Sequence, residues 1–301
     1  MGLLTTALLA IVLQDDAAKM EWVLAEGDRF DMTWSYSEQR KREAGAGASS
    51  ENHDKRDVAA ELVWKSEGIL TLTLKKVSWS YGTQDYEIGL LYTEGKKLEP
   101  QLKMKVAATA SGYAVSKSDA DRLVDYMKKM TEGEFTIDTT SEKGRTLVLQ
   151  NGGNVRVPGQ VSLLARLFTH PLLPSGPVRV GQIFKDPLDV TNLNAGLTDI
   201  REVESKVATV SDKGLIARGG VNIPIGKSIV ANGNTQMMTG NFTYTCEWNY
   251  APQGYLQGSK EESKFSKKVD AKGKDSDFYK ETYSHNIVQA LTIKKKPADK
   301  K

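Results

Sequence analysis

The sequence predicts a mainly β fold with minor α content, in which long, curved antiparallel strands form two similar half-barrel or sandwich-like halves. Apolar and polar residues alternate along most of the chain, as in strands with one buried and one solvated face. The alternating segments exceed the usual length of about five or six residues, which implies strong twist or curvature. The segment "HPLLPSGP" at 170–177 separates an N-terminal half, 20–170, from a C-terminal half, 175–294.

The N-terminal half begins with the alternating segment 30–36. In "GILTLTLKKVSWSY", 68–81, the apolar set shifts by one residue near Lys75 and Lys76, which predicts a β-bulge. The polar run between these segments, 40–57, is predicted to be a flexible loop. Further strands are predicted at 102–108, 135–139 and 146–150.

The C-terminal half repeats the alternation in longer segments. We predict strands at 202–210, 215–225, 235–248, 256–269 and 278–293. Each half opens with a Gly-x-x-Phe segment, "GDRF" at Gly27 and "GQIF" at Gly181, an echo compatible with duplication. Two amphipathic segments in the N-terminal half predict helices near 118–130 and 158–169.

The stretch "GGVNIPIGKS", 219–228, ends like a nucleotide-binding loop. Five residues rather than four separate Gly220 from Gly226, and Pro224 removes a backbone donor that a phosphate cradle would use. The apolar residues alternate, and an Asn-Gly turn signal follows instead of a helix start. We therefore predict a strand and a hairpin here, and no nucleotide binding.

The N-terminal run is predicted to be a signal peptide, 1–14, with cleavage between positions 14 and 18. It is too short for a lasting membrane anchor, which needs about 20 residues. No cysteine follows it for lipid attachment, because Cys246 is the single cysteine. We expect an exported protein, periplasmic or extracellular, soluble and not lipid-anchored.

The formal charge of +3 comes from a basic tail, 295–301, which we expect to be disordered. The remaining chain is near neutral, so no basic surface for nucleic acid is predicted. A peripheral membrane contact through the Lys-rich tail is a possible role.

The segment "LPSGPVRVG", Leu173 to Gly181, together with the signal segment and the long strands, resembles a family of uncharacterised exported bacterial proteins of planctomycete type. The resemblance implies an envelope or extracellular setting and an open β-sheet fold, and it brings no catalytic residues. The long strands are also similar to those of half-barrel periplasmic lipoprotein carriers, at the level of fold alone.

The sequence contains no recognisable catalytic or metal-binding constellation, so we expect neither an enzyme nor a cofactor. The three histidines are scattered, and His285, on an apolar strand face, is the one that merits attention. Cys246 lies on the apolar face of its segment and is interpreted as a small buried hydrophobe.

Two functions remain open. The first is non-catalytic binding of a lipid or another apolar small molecule on the concave side of the sheet. Its candidate ligand-binding residues are Trp34, Trp64, Trp79, Tyr244, Trp248 and His285. The alternative is a structural or protein-interaction component of the cell envelope, with an envelope protein as partner. Inward aromatic residues more often form a sealed core than a cavity, and this is the competing interpretation of the five Trp and Tyr positions. For His285 the competing interpretation is a hydrogen-bonded imidazole in the core or at its rim.

Overall fold

The structure is a computed structural model that describes residues 18–19, 24–44, 49–65, 69–83, 86–96, 99–104, 134–138, 147–149, 154–155, 177–189, 200–231, 234–272 and 279–297. Its strands are β1 Ala18–Lys19, β2 Arg29–Ala44, β3 Ser49–Trp64, β4 Ile69–Gly82, β5 Tyr86–Thr93, β6 Glu99–Met104, β7 Glu134–Asp138, β8 Leu147–Leu149, β9 Asn154–Val155, β10 Pro177–Val178, β11 Ile183–Asp189, β12 Ile200–Ser211, β13 Gly214–Ala231, β14 Asn234–Tyr250, β15 Leu256–Lys272 and β16 Tyr279–Lys295. The predicted long antiparallel strands are confirmed.

Fourteen of these strands form one antiparallel sheet. Its order is β11-β12-β13-β14-β15-β16-β2-β3-β4-β7-β8-β9, with β5 and β6 branching from β4, while β1 pairs with β10 separately. The pairing of β16 with β2 joins the C-terminal part of the chain to the N-terminal part, so the described strands of both parts share one sheet. The division into two similar halves stays a prediction.

The predicted bulge in β4 is confirmed, and it changes the partners of that strand. The register with β3 shifts between Ala59 and Ala60, which leaves Lys75 as the extra residue. Beyond the bulge, residues 76–82 pair with β5, whereas residues 69–73 pair with β7. The bulge therefore bends β4 so that one strand contacts two different neighbours on the same edge.

One face of the sheet is buried and carries the core. The largest side chains that are fully buried include Phe30, Leu62, Leu70, Phe242 and Tyr250, from strands on both sides of the β16–β2 pairing. Burial of each such side chain stabilises the folded state by about 1.5–3 kcal/mol, the free energy of its transfer out of water. Tyr255, in the turn between β14 and β15, packs edge-on against Phe30 with ring centroids 5.3 Å apart. This contact covers one end of the buried face.

The polar run 40–57 is not a flexible loop, which corrects the sequence prediction. Strand β2 continues to Ala44 and β3 begins at Ser49, so most of the run lies in a long hairpin. Cross-strand pairing stabilises it, for example through Gln39 Nε2, which donates to Glu51 Oε1 at 2.7 Å. Charged and polar residues occupy both faces of these two strands. The composition of the run therefore does not reveal the two-residue period of a strand.

The two Gly-x-x-Phe segments form the same turn. Gly27 and Gly181 both have φ of 88°, and their N–H groups donate to a carbonyl oxygen on a neighbouring strand at 2.8 and 2.9 Å. In each turn the side chain after the glycine, Asp28 or Gln182, accepts a hydrogen bond from the backbone N–H three residues earlier, at 2.9 and 3.2 Å. The repeated Gly-x-x-Phe segment therefore corresponds to a turn with the same local structure in both places.

Part of the predicted basic tail is ordered. Lys295 ends β16 and pairs with Asp28 at 2.7 Å, and Lys296 pairs with Glu61 at 2.8 Å. Residues 298–301 and the predicted helices at 118–130 and 158–169 lie outside the described residues. Within the described ranges, no helix has the length and apolar character needed to span a bilayer.

We expect Gly27→Ala and Gly181→Ala to lower the free energy of unfolding by similar amounts, about 1–2 kcal/mol each, because both place a Cβ at positive φ. Gly226→Ala is the matched control. Gly226 does not have a positive φ, and nothing lies within 4 Å of the Cβ it would gain. Urea denaturation of the three variants measures this, and a loss confined to one turn would contradict the equivalence of the turns.

Candidate functional site

The buried face changes from apolar to polar along the strands. We call a row of side chains that face one another across neighbouring strands a rung. One rung is almost entirely apolar and contains Val207, Ala217, Trp248, Ser259, Leu291, Trp34, Val58 and Val77. The next rung, two residues along each strand, contains Ser205, Gly219, Cys246, Glu261, Gln289, Tyr36, Arg56 and Trp79. The buried face therefore changes from apolar to polar between two neighbouring rungs.

These polar residues and their neighbours on the next rungs form a network that we call the polar belt. It comprises Tyr36, Glu38, Arg40, Asp54, Arg56, Trp79, Tyr244, Glu261, His285 and Gln289. Glu38, Asp54, Glu261 and His285 are each no more than 8% exposed. Removing ionised groups from water is costly unless they are paired and hydrogen-bonded, so their partners decide whether the belt is stable.

Glu38 is the centre of the first group in the belt. Its carboxylate accepts hydrogen bonds from Tyr36 Oη at 2.8 Å, from Arg40 Nε at 2.5 Å and from His285 Nε2. Burial alone would raise the pKa of Glu38, but these three donors lower the pKa to about 2. Burial, and then the adjacent Glu38 carboxylate, raise the pKa of the Tyr36 phenol. Glu38 is therefore ionised and Tyr36 protonated at neutral pH.

Asp54 is the centre of the second group. Arg56 donates to it from Nε and Nη2, at 2.9 and 2.5 Å, and Trp79 Nε1 donates at 2.7 Å. The Arg56 guanidinium also lies over two rings, 5.4 Å from the centroid of Tyr36 and 5.7 Å from that of Trp79. The two aromatic rings and the guanidinium thus form a cation–π cluster beside a buried carboxylate.

Glu261 is the centre of the third group, on β15. Its Oε2 accepts hydrogen bonds from Tyr244 Oη at 2.7 Å and from Gln289 Nε2 at 2.9 Å. These two donors come from the strands on either side of β15, so the three strands are connected through one carboxylate.

Cys246 lies at the other end of the polar rung. Its Sγ is 3.7 Å from Ser205 Oγ, across Gly219, where a Cβ would overlap the Ser205 hydroxyl. Burial raises the pKa of the Cys246 thiol. The sulfur is therefore a protonated, packed group, as the sequence predicts, and not a nucleophile.

The chemistry of the belt suits the binding of a polar group. It offers both donors and acceptors beside aromatic rings, and the rings of Tyr36 and Trp79 are only partly buried. Across the described ranges, no cluster of three or more His, Cys, Asp or Glu side chains could hold a metal ion.

All six residues predicted to bind ligand lie on the buried face, but in different surroundings. Trp79, Tyr244 and His285 belong to the polar belt. Trp34 and Trp248 lie on the adjacent apolar rung, and Trp64 lies farther from the belt, paired with Leu70. The aromatic residues were identifiable from the alternation.

Sequence reasoning missed the five ionic residues of the belt, which are Glu38, Arg40, Asp54, Arg56 and Glu261. Three of them, Arg40, Asp54 and Arg56, fell in the run assigned to a loop. The available signal was the phase of β2, since Glu38 and Arg40 continue the series of Trp34 and Tyr36.

The chain matches no family model and no curated protein. Among solved structures, it is similar to lipovitellin, from a study of lipid–protein interactions, with 12% identity and a TM-score of 0.45; the match covers 93% of this chain and 26% of that one. It is also similar to the TodX monoaromatic hydrocarbon channel, with 7% identity, a TM-score of 0.24 and 93% of each chain covered. For Pseudomonas aeruginosa OpdQ the identity is 6%, the TM-score 0.20, and the coverage 90% and 100%. Likenesses at these TM-scores carry no argument about function.

We expect Glu38→Gln to lower the free energy of unfolding at pH 7 by about 2–3 kcal/mol, because it removes a buried charge that three hydrogen-bond donors stabilise. The folded-state pKa of Glu38 lies below the ordinary value of 4.5. Its contribution is therefore fully present above pH 4.5 and is lost as the pH falls toward 2. The difference between parent and variant should shrink over that window.

Glu43→Gln is the matched control, since Glu43 lies on the same strand with its side chain 53% exposed. It should leave stability nearly unchanged at every pH. Urea midpoints at pH 7, 5 and 3 measure both effects. A difference for Glu38→Gln that is the same at pH 3 as at pH 7 would contradict the ionised, stabilised carboxylate.

Proposed function

We propose that the protein is a non-catalytic binding protein that holds an amphipathic small molecule, such as a lipid, against the buried face of the sheet. The observation that carries the proposal is the change within one step from the apolar rung of Trp34 and Trp248 to the polar belt. A ligand with an apolar chain and a polar end would match this change. Export to the periplasm or the cell exterior is part of the proposal.

The buried ring of Trp34 and the partly buried rings of Tyr36 and Trp79 at the boundary would give the apolar part of such a ligand a surface. Trp34 stacks on Tyr36 with ring centroids 5.6 Å apart, and Arg56 lies over Tyr36 and Trp79. Aromatic faces bury large apolar areas and keep polar tips available for hydrogen bonds. The polar end of the ligand would then lie among the groups of the belt.

Two buried polar atoms beside the belt have no hydrogen-bond partner in the described part of the chain. They are Trp34 Nε1 and Ser259 Oγ, on the same rung, with Leu291 between them. A buried indole N–H normally has an acceptor, and leaving it without one costs about 1–3 kcal/mol. A carbonyl, ether or hydroxyl oxygen of a ligand would supply that acceptor.

The pairing within the belt favours binding over catalysis. The donors around Glu38 lower the pKa of its carboxyl group to about 2, and burial raises the pKa of the Cys246 thiol. A general base needs a pKa near the working pH, and a thiol nucleophile needs a lowered one. Glu38 and Cys246 have neither property.

Native mass spectrometry of the protein, purified without detergent and followed by lipid extraction, tests the proposal. A co-purifying lipid at defined stoichiometry is the expected result. A protein that carries no lipid, and that also fails to bind added long-chain probes, would overturn it in favour of the structural role.

We expect Trp79→Leu to raise the dissociation constant of a long-chain ligand about tenfold, because it removes a ring at the boundary and the donor to Asp54. Trp64→Leu is the matched control, since Trp64 lies on the same face but away from the belt. Titration with a fluorescent acyl probe compares the two variants. An equal loss in both would show that the effect is one of general stability.

A further inference from the structure

The apolar rung beside the polar belt carries two buried polar side chains, Trp34 and Ser259. Trp34 is 7% exposed and Ser259 is 2% exposed. Ser259 faces Trp248 and Leu291 across the neighbouring strands. Trp34 faces Leu291 and Val58. None of these three neighbours has a side-chain acceptor, so the unbonded Trp34 Nε1 and Ser259 Oγ find no acceptor within their own rung.

The two atoms set a requirement on the oxygen content of a ligand. An indole N–H can only donate a hydrogen bond, and a serine hydroxyl donates one and also accepts. Ser259 and Trp34 lie on strands β15 and β2, with β16 between them. Neighbouring strands lie about 4.8 Å apart, so the two backbones are about 10 Å apart. A polar end with several oxygen atoms therefore suits the two positions better than a single oxygen does.

The permanent cations of the belt, Arg40 and Arg56, are each paired with a carboxylate. Arg40 Nε donates to Glu38 at 2.5 Å. Arg56 donates to Asp54 from Nε and Nη2, at 2.9 and 2.5 Å. A carboxylate or phosphate group of a ligand would be buried beside these pairs without a cation of its own in the belt. Such burial is costly, whereas an uncharged oxygen group avoids the cost.

A further carboxyl group lies close to Ser259. Glu261 follows Ser259 by two residues on β15 and is on the same face, about 7 Å along the strand. Its Oε2 accepts hydrogen bonds from Tyr244 and Gln289. An anionic ligand end at Ser259 would be repelled by this carboxyl group in its ionised form, and an uncharged end would not.

We propose that the polar end of the ligand is uncharged and carries several oxygen acceptors, as in an acylglycerol, and that these oxygens accept hydrogen bonds from Trp34 Nε1 and Ser259 Oγ. The inference rests on the proposed function, because it names the class of ligand for the same site. A glycerol ester satisfies both buried donors and brings no charge to the belt. A lipid with a carboxylate or phosphate end satisfies the same donors only by placing an anion there.

Titration of the full chain at pH 8, after removal of any bound lipid, compares two matched ligands. They are 1-oleoylglycerol and 1-oleoyl lysophosphatidate, which share the acyl chain and the glycerol ester and differ in the phosphate. We expect the uncharged ligand to bind about tenfold tighter or more. Equal or tighter binding of the lysophosphatidate would overturn this inference and leave the proposed function standing. Binding of neither ligand would overturn both.

Ser259→Ala tests the contact itself, because it removes a hydroxyl that has no partner in the described part of the chain. We expect it to weaken binding of 1-oleoylglycerol about threefold to tenfold and to leave the free energy of unfolding without ligand unchanged or higher. Trp34→Phe should weaken binding by a similar factor, since it removes the indole N–H and keeps an aromatic ring.

Ser205→Ala is the matched control. Ser205 is also a buried serine on this face, but its Oγ lies 3.7 Å from Cys246 Sγ. It should leave the affinity unchanged and lower the free energy of unfolding. Calorimetric titration and urea denaturation measure both quantities. A Ser259→Ala variant that binds like the parent, or that loses more stability without ligand than Ser205→Ala does, would overturn the inference.

Discussion

The contact between Glu38 and His285 is the interaction on which the arrangement of the sheet depends. It joins β2 to β16, two strands that are 247 residues apart at this pair. A slip of one residue would turn His285 to the opposite face and leave Glu38 buried without this partner. Arg42 reinforces the same register through its bidentate pair with Glu281, at 2.7 and 3.1 Å. These two side-chain contacts therefore fix the register where β2 pairs with β16.

The same constraint gives the buried face its amphipathic character. Apolar packing around Phe30, Leu62 and Tyr250 fills one end of the face, so the charged groups can be accommodated only farther along the strands. There they must pair with one another, and the pairs bring the rings of Tyr36 and Trp79 next to a guanidinium. The proposed binding surface is thus a consequence of how the buried charges are satisfied.

Most of the strands could be predicted from the sequence because an apolar residue at every second position is a local signal. The bulge at Lys75 was visible as a change of phase, and the strand in "GGVNIPIGKS" as alternation around Pro224. The polar belt was not predictable in the same way. Burial of Asp54 and Arg56 depends on Tyr36 and Trp79 from neighbouring strands as well as on their own ion pair, and a charged run by itself has the composition of a loop.

The sequence correctly predicts that the aromatic residues lie on the buried face of the sheet, but it does not distinguish their surroundings on that face. Alternation places Trp34, Trp64 and Trp79 on one face of the sheet. It does not show which of them pack in the apolar end of that face and which lie beside charged groups. That distinction needs the register between strands, which sets Trp79 beside Asp54.

Hydrogen–deuterium exchange with and without a long-chain amphiphile tests the central claim most directly, because it locates binding along each strand. We expect added protection in the segments that carry the polar belt, residues 36–40, 54–58 and 77–81, and none around Trp64. Protection that is absent from these segments would contradict a ligand site on the buried face.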